Sequence, residues 1–299
     1  MTAGAAVEAA GQARGRQAAV WAALVVAGVL VLLSAFAVWL NRVALDTEVF
    51  ADTSAELIED EAIRRAVAAR AVDELFASVD VQAEIERQLP SSLESLSGPA
   101  AAGLREASYR LVERALGQPR LQRLWALAVE QAHRALVRVL EEREGGTLGS
   151  DEGVVTLDLG RIVLEAAERV GLRSQVADTL PPEAGRVVLF RSDELDTAQD
   201  AARVLGAAAA VLPILALLAF AAALAAAGDR RRAVRGAGLT LVAAGIVGLV
   251  AASMLGARLV DELTAESETR EAAAHAWSIA TEPLRSSLRW LAALGVLVV

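Results

Sequence analysis

VLGAAAAVLPILALLAFAAALAAAGDRRRAVRGAGLTLVAAGIVGLVAASMLGA, running from Val204 to Ala257, decides how this chain is arranged. Val204 to Gly228 is 25 residues without a charge, and Gly236 to Ala257 is another 22. A helix rises about 1.5 Å per residue, so each run is long enough to cross the roughly 30 Å hydrocarbon core of a bilayer. Between them stand Asp229 and then Arg230, Arg231, Arg232 and Arg235. Short loops rich in Arg are retained in the cytoplasm, so the turn 229–235 is expected inside, and every other segment takes its side of the membrane from it. Pro213 removes one ladder N–H and is expected to bend the first of the two helices. Small residues, Ala207 to Ala210 among them, suit close packing between spans.

Upstream, Ala18 to Leu40 is a further apolar run of 23 residues with Trp21 near one end and Trp39 near the other. As a helix it separates the two indoles by about 27 Å, one for each headgroup belt. The apolar region of a cleaved signal peptide is usually about 7–15 residues, so an uncleaved anchor fits better. Residues 1–17 read as a disordered cytoplasmic tail, whose Arg14 and Arg16 agree with an amino end held inside. At the other extreme, Trp290 to Val299 is ten apolar residues. That length covers half a bilayer, so the stretch is expected to be a fourth span cut short in a piece of a longer protein, with Trp290 at the interface. The segment 258–289 between the third and fourth spans is expected outside, with an amphipathic helix around Glu268 to Ala280.

Asn41 to Ala202, 162 residues, then forms one external domain with 30 acidic and 18 basic residues. Asp46, Asp60 and Asp80 are each placed to cap a following helix, the third ending at Pro90. Pro99 and Pro119 stand where a first helical turn tolerates a missing N–H. From Pro119 to about Glu142 the spacing predicts a long helix burying Leu121, Leu124, Trp125, Ala128, Ala132, Ala135 and Val139, with Glu130 and Arg134 paired on the wet side. Two β-branched stretches, Val154 to Asp158 and Arg186 to Arg191, are expected to pair as strands. The fold class is therefore a mainly α membrane protein: a helical-span bundle of three complete spans plus a truncated fourth, with a mostly helical external domain carrying a small two-stranded β element.

Composition removes several function classes. The chain is 55% hydrophobic with a formal charge of -9, all 29 basic residues are Arg, and there is no Cys. Thiolate chemistry, disulfides and Cys-ligated zinc are excluded, and the acidic balance argues against a nucleic-acid partner. The lipid bilayer is one expected partner and a protein at the cell envelope the other. Only His133 and His275 can serve as histidine bases or ligands. His133 with Glu130 one turn away is the candidate polar pair, as a general base and its orienter. The plainer reading is a packed histidine, since no second His stands at metal-ligand spacing. Gly149-Ser150-Asp151 lacks a nucleophile elbow, the run 145–153 lacks a phosphate-loop ending, and no cofactor is implied.

The stretches WLNRVALDTEVFADT (Trp39–Thr53), LWALAVEQAHRALVRVL (Leu124–Leu140), DEGVVTLDLGRIV (Asp151–Val163) and VVLFRSDELDTAQDAARVL (Val187–Leu205) resemble an uncharacterised family of integral membrane proteins from high-GC Gram-positive bacteria. The resemblance implies four spans around one large external domain and brings no catalytic residues. The expected role is thus a non-enzymatic interaction or sensing protein of the plasma membrane, acting through its acidic external domain. An envelope hydrolase or transferase using His133 is the first alternative. A lipid-handling or small-molecule channel role of the spans is the second.

Overall fold

The computed structural model describes residues 3–78, 81–88, 90, 95–141, 154–169, 171, 186–263 and 267–299. Side chains are described over 15–78, 81–87, 90, 95–141, 162–169, 171, 195–262 and 269–299.

Helix α1 spans Ala3–Leu45, so the tail expected to be disordered is helical from Ala3 onward. Its Ala-rich composition explains the difference. Extending a helix that already exists avoids the nucleation cost, and Ala, Gln, Glu and Arg all propagate it well. Asp46 ends α1 and starts α2 (Thr47–Glu59), accepting hydrogen bonds from the amides of Glu48 at 3.0 Å and Val49 at 3.2 Å. Asp60 does the same for α3 (Glu61–Ser78), accepting from the Ile63 amide at 3.1 Å. Asp80 lies outside the described residues. Helix α4 covers Val81–Gln88, and α5 covers Ser97–Leu116 with Pro99 in its first turn. Helix α6 (Pro119–Glu141) opens on Pro119, where no ladder N–H is needed.

Helices α2 to α6 form a lobe beside the apolar helices. Leu124 of α6 packs with Ala166 and Ala167 of α7 (Leu159–Arg169), which makes one small core. Strand β1 (Val154–Asp158) pairs antiparallel with β2 (Arg186–Arg191), Val154 opposite Arg191 and Asp158 opposite Arg186. Along α6 the buried residues are Leu124, His133, Val137 and Val139. Trp125, expected inside, is partly exposed, although its indole N–H donates to the hydroxyl of the buried Ser54 at 2.9 Å.

Directly from β2 the chain enters α8 (Ser192–Ala226), one helix through Arg203 and Pro213, followed by α9 (Arg230–Leu263) and α10 (Ser267–Val298). Three of the helices, over Gly15–Leu45, Leu195–Ala226 and Arg230–Glu262, are long and apolar enough to cross a membrane. Their outward surfaces are greasy, with Leu217, Val204 and Val25 all more than half exposed, as lipid-facing residues are and the surface of a water-soluble domain is not.

Close contacts fix how α1, α8, α9 and α10 run. Arg16 meets Ala226, Leu24 packs with Ala223 and Ala237, and Asn41 lies beside Gly206, so α1 and α8 are antiparallel. A Cβ on Gly28 would stand 2.6 Å from Thr240, and one on Gly248 would stand 2.9 Å from Leu32, so α1 and α9 run the same way. Gly238 faces Gly295, Gly245 faces Leu288 and Ala292, and Gly256 faces Trp277, which lays α10 back along α9. The four helices make an up-down-up-down bundle whose α9–α10 seam is closed by glycines, because only a missing Cβ allows such an approach.

This seam corrects two expectations about the carboxyl-terminal region. A separate fourth span at 290–299 is not supported: these residues end one helix that begins at Ser267, and Glu282, Arg285 and Arg289 interrupt its apolar surface. Nor does 258–289 stand apart from the spans. Leu284 and Leu288 are fully buried with Ala252 at the heart of the bundle, which brings Glu282, Arg285 and Arg289 to the height of the neighbouring apolar runs. Glu282 and Arg289 pair at 3.0 Å on the outward face. Trp290 follows two residues after Leu288, in the middle of the bundle's height and not at either end.

Candidate functional site at the junction of lobe and bundle

His133 sits where α6 crosses the corner between α1 and α2. Its ring is buried, 4% exposed, and stacks on Phe50 with centroids 4.1 Å apart and planes 18° from parallel. The Ala44 carbonyl can only accept, so Nε2 carries the hydrogen and donates to it at 3.2 Å. Nδ1 is then the acceptor for the Thr47 hydroxyl at 3.1 Å. Ala44 lies in the last turn of α1, where carbonyls lack helical partners, so the imidazole satisfies an orphan and ties α6 to the corner. Burial pushes the His133 pKa down, opposed by the bond to Ala44 and by the charge of Asp46. The ring is held neutral and enclosed.

The candidate pair of the sequence is not brought together. Glu130 is engaged by Arg134 on its own helix, the i, i+4 pair expected there, and His133 turns to Phe50, Thr47 and Ala44. A general base needs reach to a substrate proton, and this imidazole has both nitrogens committed and no open face. Among the described residues no cluster of three or more His, Asp or Glu could hold a metal.

Next to this packed histidine opens a cavity of about 1030 Å³, between α6 on one side and the α1–α2 corner with α8 on the other. Arg134, Arg138 and Arg203 face it together with Asp46, Glu141 and Asn41. The α6 residues reach it because 134, 138 and 141 share a helical face, and Arg203 reaches it because α8 continues unbroken from the lobe into the bundle. Arg203 is paired with Asp200, and Gln199 donates to the Val139 carbonyl at 2.9 Å, closing one wall. The cavity presents mixed polar groups with one more cation than anions, in a lobe that is otherwise acidic. Arg134 and Arg203 already hold Glu130 and Asp200, so the lining suits a hydrophilic group without selecting its charge. Its Thr47 hydroxyl is spent on the enclosed His133 ring. Spacing alone could have placed Arg134, Arg138 and Glu141 on one face, but nothing in the sequence joined them to Asn41 and Arg203.

Trp21, Trp39 and the Arg cluster, also singled out by the sequence, fall at the bundle ends, unlike Trp290. Trp21 lies beside Gly236, and Trp39 donates to the Ala280 carbonyl at 2.9 Å while meeting Trp277 edge to face at 6.3 Å. Arg230, Arg231, Arg232 and Arg235 form the first turns of α9, all exposed, at the end opposite the lobe, where Arg16 joins them. The Arg14 side chain is outside those described. Three membrane-length apolar helices carrying a helical lobe at one end define a membrane protein. No protein-family model, no curated protein and no solved structure matches the chain.

Proposed function

We propose that this is a multi-pass protein of the plasma membrane whose Arg-rich end and amino terminus lie in the cytoplasm, and whose acidic lobe binds a partner or senses a ligand at the outer face. The observation that carries the reading is the way the lobe is joined to the bundle. Three ties connect them: His133 to the α1–α2 corner, Gln199 of α8 to Val139 of α6, and His275 of α10 to Asp60 at the start of α3. A domain that hung from one flexible linker would carry no signal, whereas a lobe fixed at three places moves only with the helices it touches. The junction cavity supports the same reading, since a group bound there touches α6, α1 and α8 together. The Arg cluster at the opposite end supports the sidedness.

The role is one of interaction, without a reaction of its own. Its test is photo-crosslinking in intact cells from a probe at Glu141, in the full chain, beside the same probe with Arg138→Glu. One discrete adduct lost in the Arg138→Glu background is expected. Identical adduct patterns in the two chains, or no adduct from either, would count against the reading.

A further inference from the structure

At the end of the bundle away from the lobe, α1, the turn 227–229 and the start of α9 line a cavity of about 230 Å³. Its rim is basic and its floor is not: Arg16, Gln17 and Arg232 stand at the mouth with Asp229, while Trp21 and Leu24 form the inner wall. Arg16 is held in place, since its Nε donates to the Ala226 carbonyl at 2.7 Å, the last residue of α8, and its guanidinium lies over Gly228. With Nε committed, the two terminal nitrogens remain as the fork that fits a phosphate. Asp229 does not cancel this field. One of its oxygens accepts from the Arg232 amide at 3.2 Å, the other lies 4.0 Å from the Arg232 side chain, and the same first turns of α9 carry the exposed Arg230, Arg231 and Arg235.

We propose that this cavity binds the phosphodiester headgroup of an anionic glycerophospholipid, held between Arg16 and Arg232. Its position is what selects a lipid. The rim stands at the end of three membrane-length helices, where headgroups are, and the wall from Trp21 to Leu24 leads straight into the apolar layer, along which an acyl chain continues. A free phosphate has no use for that wall. The volume is below the roughly 300–1,000 Å³ of sites that enclose a whole drug-sized ligand, which fits a headgroup whose chains stay outside. Basic pockets between span ends are where anionic lipids are recognised by charge, and phosphatidylcholine, with no net charge, lacks the attraction. The site does not depend on which side of the membrane the Arg-rich end faces.

The test is native mass spectrometry of the full chain in a neutral detergent, titrated with dioleoyl phosphatidylglycerol and, in parallel, with dioleoyl phosphatidylcholine. One phosphatidylglycerol should be retained in preference to phosphatidylcholine. Retention should fall about tenfold or more in the Arg16→Gln/Arg232→Gln chain and stay unchanged in Arg258→Gln at the far end of α9. Should the glutamine chain fail to fold by circular dichroism, Arg16→Lys/Arg232→Lys keeps both charges, loses the fork and should still show weaker retention. Equal retention of the two lipids, or undiminished retention in the folded variants, would overturn the proposal. Displacement of phosphatidylglycerol by excess inorganic phosphate would assign the site to a free anion and overturn it too.

Discussion

His275 of α10 places Nδ1 2.8 Å from Oδ2 of Asp60, the residue that also caps α3, so one carboxylate both starts a lobe helix and holds a bundle helix against it. Each partner moves the other. The hydrogen bond to Asp60 raises the His275 pKa, and the bond to His275 lowers that of Asp60 against a smaller desolvation effect. For His275 the stabilisation is complete below the ordinary histidine value and is lost as pH rises through its raised folded value. For Asp60 it is complete above the ordinary carboxylate value and is lost as pH falls through the lowered one. The tie therefore holds in mild acid and opens toward alkaline pH. Hydrogen exchange of the full chain in detergent should show the amides around 60–63 and 271–275 losing protection as pH rises from about 6.5 through the raised His275 value. In Asp60→Asn that pH dependence should vanish.

His133 carries the opposite sign. Its folded pKa lies below the ordinary value, so the unfolded chain takes up a proton first and stability falls as pH drops below about 6.5. His133→Ala removes the ring stacked on Phe50 and leaves the Ala44 carbonyl and the Thr47 hydroxyl without it, for a loss of about 2–4 kcal/mol. Thermal unfolding of the lobe followed by circular dichroism reads both effects. A variant as stable as the parent would mean that the ring is not structural.

Gly256 is needed because of Trp277, whose indole Nε1 would lie 2.2 Å from a Cβ at that position. The same indole donates to the Ala252 carbonyl at 3.2 Å and meets Trp39, so it has little room to retreat. Gly256→Ala should destabilise the bundle by about 1–3 kcal/mol through overpacking, and Gly295→Leu, aimed at the Gly238 carbonyl, by more. Detergent-denaturation midpoints check this.

Tyr109 is the one tyrosine of the chain, so absorbance titration reads it alone. It donates to Asp73, which Arg105 also binds, and this bond to a carboxylate raises its pKa above the usual value of about 10. The midpoint should return toward that value in Asp73→Asn. Stability should change little, because the pair is half exposed and screened.

What could be read from the sequence was local. Asp46 and Asp60 cap because each acts on amides two or three places away, and Pro119 opens its helix because no ladder N–H is needed there. The three apolar runs declare themselves by length and composition. Alignment between distant segments was not legible. Glu282, Arg285 and Arg289 break the apolar pattern of their helix, yet glycines at 238, 245 and 256 draw it along α9. The sequence shows His133 beside Glu130, yet its partners Thr47 and Ala44 lie 86 and 89 residues away. Residues 3–17 looked too polar to fold alone and did not have to, since they extend a helix already formed.

The sidedness of the two ends bears on everything proposed for the lobe, and the absence of cysteine makes it directly measurable. Single cysteines introduced by Ala77→Cys in the lobe and Arg231→Cys in the Arg-rich turn, both at exposed positions, can be treated in intact cells with a membrane-impermeant maleimide. Labelling of the Ala77→Cys chain alone, with the Arg231→Cys chain reacting only after permeabilisation, is the predicted result. The reverse pattern would contradict the account.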